Sequence, residues 1–192
     1  MDVDELIVEL AEKLDAWCDG FSPMLGSEDR AAQVRALLSG VAWAREYNDL
    51  KAKGLAAITA LIEREDTTTE DQRVASLIAG FAFAAKMSAA LHDEFQDMDA
   101  MTEVAHLMRK IAVTLDGTVS GRAALAVLFD DSDVRVRAYA GAYLLMVNLL
   151  PERVVPILRD IAQKERANDA HFTAYWAVLR WEREGSGAAA GE

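Results

Sequence analysis

Apolar side chains recur along this chain every three or four positions, with few interruptions. Leu6, Leu10, Leu14 and Trp17 fall on one helical stripe, while Glu5, Glu9, Glu12 and Asp15 lie largely off it. This first helix is expected to stop near Gly20, where Gly20-Phe21-Ser22-Pro23 reads as a break. Ser27, followed by Glu28 and Asp29, suits an N-cap with acids in the positive first turn, and opens a helix to about Tyr47. Another helix spans about Leu50 to Arg64, with Leu55, Ile58 and Ile62 on one face. Thr67-Thr68-Thr69 reads as a loop, and Thr69 with Gln72 can form a capping box. The next helix runs from about Glu70 to Phe95. Its stretch 74–85 is apolar on most sides, which predicts central burial.

An acidic turn around Asp97 and Asp99 separates that helix from one over Met101 to Leu115, stopped by Asp116-Gly117. Four shorter helices follow, at roughly 120–129, 134–147, 151–165 and 169–184. Their separators are Asp130–Asp133, Asn148 with Pro151, and Asn168-Asp169. Pro151 fits a first helical position, where its missing N–H costs nothing. Pro156 is expected to kink that helix or delay its start. Residues 185–192 lack periodicity and read as a disordered tail. No segment carries strand periodicity. The expected fold is all-α, eight or nine helices arranged as antiparallel hairpins.

Composition supports this pattern: 35 of the 192 residues are Ala, the strongest helix former, against 3 Pro and 11 Gly. A chain of this length needs no disulfide or metal to complete its core. The expected organisation is an acidic N-terminal helical region, 1–117, with 118–184 packed on it as one continuous unit.

Charge narrows the partners. The net charge is −12, and it is uneven: residues 1–100 carry 20 acids and 9 bases, residues 101–192 carry 12 and 11. Phosphate backbones are held by clustered Lys and Arg, and the longest basic run here is Arg109-Lys110. Direct nucleic-acid binding is not expected, and a basic protein partner is. Cys18 is the only cysteine, so it forms no internal disulfide and reads as a buried thiol. The acidic start Met1-Asp2-Val3-Asp4-Glu5 does not resemble a signal peptide. The near-apolar run Val74–Ala85 is too short for a bilayer. The expectation is a cytoplasmic protein with no membrane role.

Two internal echoes suggest stacked hairpins. Residues 37–44 (Leu-Leu-Ser-Gly-Val-Ala-Trp-Ala) match 77–84 (Leu-Ile-Ala-Gly-Phe-Ala-Phe-Ala) at an offset of 40. In both, a glycine (Gly40, Gly80) would admit a close helix. Ala138-Tyr139 returns as Ala174-Tyr175. Around this second echo, Leu125–Phe129, the acidic turn Asp130–Asp133 and the segment Val136-Arg137-Ala138-Tyr139-Ala140 resemble a HEAT repeat. Val155-Pro156-Ile157-Leu158 with Ile161 is similar to the Pro-bearing first helix of a following repeat. With Leu149-Leu150-Pro151 and a last helix holding Trp181, the order also resembles a small bacterial family of unknown function built from HEAT-like repeats. The resemblance covers about 121–184. It implies a HEAT-like α-solenoid there, with Asp133 and Arg137 paired between repeats, and it implies no activity.

Catalytic constellations are incomplete. Glu103-x-x-His106 has the spacing of a di-iron helix, but positions 89 and 168, which would complete a second motif with His92 or His171, hold Ala89 and Asn168. No phosphate loop, nucleophile elbow or His-Glu-x-x-His occurs. The densest carboxylate cluster is Asp93, Glu94, Asp97, Asp99 and Glu103. With Glu9, Glu12 and Asp15 it could hold Mg²⁺, as in all-helical nucleotide pyrophosphohydrolases, although the paired spacing is only half met. Trp43, Tyr47, Phe81 and Phe83 read as core.

The favoured expectation is therefore a non-enzymatic protein-interaction module that uses no cofactor or metal. One version is a bacterial immunity or antagonist protein that inhibits a basic toxin or nuclease. Asp93, Glu94, Asp97, Asp99 and Glu103 are the expected partner-binding patch, with Arg135, Tyr139 and Tyr175 as an alternative face. A Mg²⁺-dependent hydrolase and a structural homodimer are the competing readings.

Overall fold

The computed structural model describes residues 2–25, 30–64, 69–95, 97–165 and 168–188, with side chains described outside 17–44, 94–95 and 185–188. Among these residues the fold is all-α, with 88% in helix and no strand. Eight helices follow in order: α1 (Val3–Leu25), α2 (Arg30–Glu63), α3 (Glu70–Ala90), α4 (Met98–Asp116), α5 (Val119–Leu128), α6 (Val134–Met146), α7 (Pro151–Lys164) and α8 (Asp169–Ala188). A π-helical turn, Leu91–Phe95, continues α3.

Three boundaries differ from the sequence pattern. α1 runs through Gly20–Pro23 to Leu25. Pro23 stands one turn from the helix end and removes a single hydrogen bond, to the carbonyl of residue 19. The two helices expected over Ser27–Tyr47 and Leu50–Arg64 are one, α2. Asn48-Asp49 costs only a few tenths of a kcal/mol in propensity, roughly, and Ala-rich flanks carry the helix across it. α8 continues past residue 184 to Ala188, so the segment read as a tail begins as helix; residues 189–192 lie outside the described residues, as does the Ser27 cap. Pro156 neither stops nor delays α7. It is exposed, as is Glu152, whose carbonyl it leaves without a helical donor.

The other ends follow the sequence closely. The Thr69 hydroxyl accepts from the Gln72 N–H at 3.3 Å, and the Gln72 carboxamide accepts from the Thr69 N–H at 3.1 Å, forming the capping box. Asp97, Thr118 and Asp133 cap α4, α5 and α6. α6 ends in a Schellman turn. The Leu149 N–H reaches the Leu144 carbonyl at 2.8 Å, and the Asn148 N–H reaches Leu145 at 3.0 Å. Asn148 and Leu150 both have positive φ, 52° and 53°. Asn tolerates that region; a branched Leu there costs about 1 kcal/mol. Leu150→Gly is therefore expected to stabilise by about 1 kcal/mol, raising the melting temperature by roughly 2–4 °C. A melt monitored by circular dichroism checks it.

α3 is the centre of the molecule. It packs against α1, α2, α4, α5, α6 and α8, and Phe81, Phe83, Ala84 and Ala85 are fully enclosed. Small residues set the spacing. Gly80 faces the tip of Leu61 on α2, with Ile111 and Ile7 beside it, so the expected close approach is present there. Gly40 lies among the undescribed side chains. One stretch, Glu70–Asp93, is long and apolar enough by length and composition to cross a membrane. Here it is the buried core helix. α6 packs against α7 and most extensively against α8, which also lies on α7. That arrangement leaves one face of α8 beside α4 and α6, where the site lies.

Candidate functional site

α8 opens with Asn168, whose Oδ1 accepts the His171 N–H at 2.9 Å, and so caps the helix. Asp169 is therefore not needed as the cap. It is the first helical residue and only 4% exposed. Its N–H donates to Asp93 Oδ1 at 2.8 Å, and Asp93 Oδ1 also lies 2.7 Å from His92 Nδ1. Asp169 Oδ1 accepts from the Tyr139 hydroxyl at 3.2 Å, and the Tyr139 hydroxyl oxygen lies 2.7 Å from Ser88 Oγ. Ser88 on α3, Asp93 on the π turn, Tyr139 on α6 and Asp169 on α8 thus form one polar junction that runs from the apolar core, at Ser88 and Asp169, out to the exposed Asp93.

The junction is one donor short. Asp169 Oδ2 is shut off from solvent and has no hydrogen-bond partner among the described residues. Burial pushes the Asp169 carboxyl up to about 6. The Asp93 charge adds to this, while the Tyr139 hydrogen bond and His92 oppose it. Burial likewise raises the Tyr139 hydroxyl well above the ordinary phenol range and pushes Tyr143 up to about 12. Neither tyrosine is set up as a base near neutral pH.

Asp169 borders a cleft of about 430 Å³ walled by His92, Met98, Met101, Phe172, Thr173 and Trp176. Tyr139, Thr173 and Trp176 also line a neighbouring cleft of about 300 Å³ between α4, α6 and α8, with Tyr143, Trp181, Arg109 and Arg180. The outer rim is aromatic. Phe172, Tyr175 and Trp176 are 39%, 47% and 58% exposed. Tyr175 stacks on His171 at 6.2 Å between centroids and meets Trp176 edge-on at 5.4 Å.

The acidic patch expected from the sequence is divided by the fold. Asp97 accepts from Tyr47 at 2.7 Å and Lys51 at 2.8 Å, besides capping α4. These donors hold its carboxyl down at about 2. Asp93 turns to the α8 N-terminus, while Asp99 and Glu103 are exposed on α4. Glu94 lies outside the described side chains.

Of the alternative face, Tyr139 joins the junction and Tyr175 the rim. Arg135 binds Asp133 at 2.6 Å and Asp15 at 3.4 Å. The pair expected between Asp133 and Arg137 is not formed. Arg135, one residue into α6, offers both its N–H and its guanidinium to Asp133. Arg137 turns back to the carbonyls of Asp131 and Ser132.

The second carboxylate set for Mg²⁺ is occupied in part: Lys13 pairs with Glu9, and Lys86 with Asp15 at 2.6 Å. No group of three or more His, Cys, Asp or Glu converges among the described residues. His106 and Glu103 are both exposed on α4. Phe81 and Phe83 are core, as expected; Trp43 and Cys18 lie outside the described side chains.

Sequence reasoning missed Asp169, His92 and Ser88. Two cap-competent residues in a row, Asn168-Asp169, were one more than a helix start needs, and Ser88 interrupts an apolar stretch that otherwise buries cleanly. The fold and its site define an all-α protein with an aromatic-rimmed cleft that has a buried acid in its wall. No family model, curated protein or solved structure matches the chain.

Proposed function

We propose that the chain is a non-enzymatic protein-binding module whose docking face is the α8 rim and whose partner is a basic protein. The observation that carries this reading is the contiguous ridge of Phe172, Tyr175 and Trp176, exposed beside two clefts. Aromatic residues on a desolvatable face are the usual anchors of protein interfaces. The charge of −12 favours a basic partner and speeds its approach. The antagonist of a basic toxin or nuclease is the particular form this takes, in the cytoplasm. The helix pairs α5/α6 and α7/α8, with α6 laid on α8, fit the HEAT-like reading of the last third. α3, touching six other helices, departs from neighbour-only stacking.

The test uses purified chain and the double variant Tyr175→Ala/Trp176→Ala. Sedimentation first gives the oligomeric state. Each is then used as bait in extract of the native host, and any basic protein held only by the wild type is purified and titrated. The expected result is a monomer whose affinity for that protein falls at least ~100-fold in the double variant. Its association rate should fall as salt shortens the screening length below about 8 Å. A dimer dispersed by the same substitutions establishes the homodimer instead. Metal-dependent nucleotide hydrolysis abolished by Asp99→Ala or Glu103→Ala establishes the hydrolase.

A further inference from the structure

We propose that the cleft beside Asp169 receives one alkylammonium group, the end of a lysine side chain. That the lysine comes from a protein partner rests on the function proposed above; the ammonium site itself does not.

Four observations converge on a cation of this shape. The first is the buried carboxylate with one oxygen that no donor among the described residues reaches. A lone buried charge is expensive, and it is compensated when a charged donor arrives. The second is its neighbour: Asp93 adds a second negative charge at the same junction. The third is the wall. Phe172 and Trp176 supply aromatic rings that can attract a cation, and Met98 and Met101 supply apolar surface for the methylene stem that precedes an ammonium. The fourth is that no Lys or Arg among the described residues lines this cleft. Its one basic ring, His92, is engaged with Asp93.

An anion would face two carboxylates here, and a metal ion would find fewer than three ligating groups among the described residues. The ammonium needs an N–H because a carboxylate oxygen only accepts. Asp169, with this unmatched oxygen, stands in the cleft wall, and Thr173 on the next turn of α8 offers a second acceptor.

Among the described residues, the titratable groups that face Asp169 are Asp93 and His92 from the π turn and Tyr139 from α6. Tyr139 stays neutral across the working range. As pH falls through about 6, Asp169 takes up a proton, and the loss of its charge weakens cation binding.

The probe is n-butylammonium, followed by two-dimensional ¹⁵N NMR of the full chain at pH 7.5, with n-butanol and tetramethylammonium as comparisons. The expected result is saturable shifts at the α8 N-terminus and the Trp176 indole, with Kd in the millimolar range, on the order of what five heavy atoms can supply. Tetramethylammonium should bind at least ~5-fold more weakly and butanol not measurably. Asp169→Asn should reduce affinity at least ~10-fold, and Trp176→Ala, a substitution on the surface, about 3- to 10-fold. Lowering the pH to 5 should weaken wild-type binding and leave the residual binding of Asp169→Asn far less changed.

Equal binding of butanol, or butylammonium binding unaltered by Asp169→Asn, overturns the site. So does the absence of shifts at 50 mM, about ten times the concentration a millimolar site needs. If butylammonium fails while a basic protein still depends on Tyr175 and Trp176, the docking face stands without its lysine anchor. If butylammonium binds and no protein depends on the ridge, the cleft receives a small amine and the protein-binding reading falls.

Discussion

Gly121→Ala is expected to destabilise the protein by about 3 kcal/mol or more, lowering its melting temperature by roughly 6–12 °C. Intrinsic propensity predicts the opposite sign, since Ala in a helix is favoured over Gly by about 1 kcal/mol. Geometry decides the outcome. α4 passes into α5 through Gly117 and Thr118, and the Thr118 hydroxyl accepts the Gly121 N–H at 3.0 Å. This fold-back lays Gly121 against the main chain of Leu115. An added Cβ would overlap the Leu115 carbonyl oxygen and sit 2.8 Å from its carbonyl carbon and Cα. Backbone cannot step aside as a side chain does, so relief requires opening the α4–α5 turn. Gly80→Ala is the comparison: there the obstacle is the tip of Leu61, a flexible end, and the loss should be about 1–2 kcal/mol. Thermal and urea melts by circular dichroism measure both. A Gly121→Ala protein as stable as wild type would mean the α4–α5 turn is not the one described.

Asp169→Asn is expected to stabilise, by about 1–3 kcal/mol at pH 7.5, a direction unusual for a buried polar substitution. The folded carboxyl titrates at about 6, against about 3.9 for an unfolded Asp. The fold thus holds the proton more tightly than the unfolded chain. Stability from this group is fully present below about pH 4 and is lost as pH rises through 6, in total about 3 kcal/mol. Asn keeps an uncharged polar group in place and removes that loss. Asp97 slopes the other way: held at about 2 by Lys51 and Tyr47, it stabilises above about pH 4 and ceases to as pH falls through 2. Because Asp97 is common to both proteins, subtracting their urea stabilities at pH 5 and 7.5 isolates Asp169. The gain should be about 1.4 kcal/mol larger at 7.5 than at 5. A variant weaker than wild type at both values would mean that Asp169 Oδ2 has a partner in solution.

The α-helices were legible because each carries its own signal: a 3.6-residue apolar period, the Thr69–Gln72 box, Asp116-Gly117 as a stop and Pro151 as a start. The errors fall where local signals were outweighed by the continuity of the helix. Gly20–Pro23 and Asn48-Asp49 resemble breaks, yet α1 and α2 run through them. The candidate site was read less well, for a physical reason. Charge density along the chain pointed to Asp93–Glu103, but an acid's availability depends on which cations fold onto it. Lys51 lies 46 positions from Asp97, and nothing local to either residue reports their pairing. Tyr139 and Tyr175 were found through a repeat echo, whereas Asp169 was passed over as punctuation between helices. Its burial is created by α3 and α6, which lie far away in sequence.

The central position of α3 also has a consequence in time. Glu70–Asp93 emerges during synthesis with the length and composition of a membrane span, while much of its cover is still unmade. α4, α5, α6 and α8 all come later, and among the described side chains of α8 the last buried one is Val178. At about 5–20 residues per second, the ribosome needs roughly 4–17 s to add residues 94–178. Through that interval the nascent chain presents a greasy, half-covered helix to whatever waits near the exit site, and factors that hold or target apolar segments compete with the chain's own final helix for the same surface.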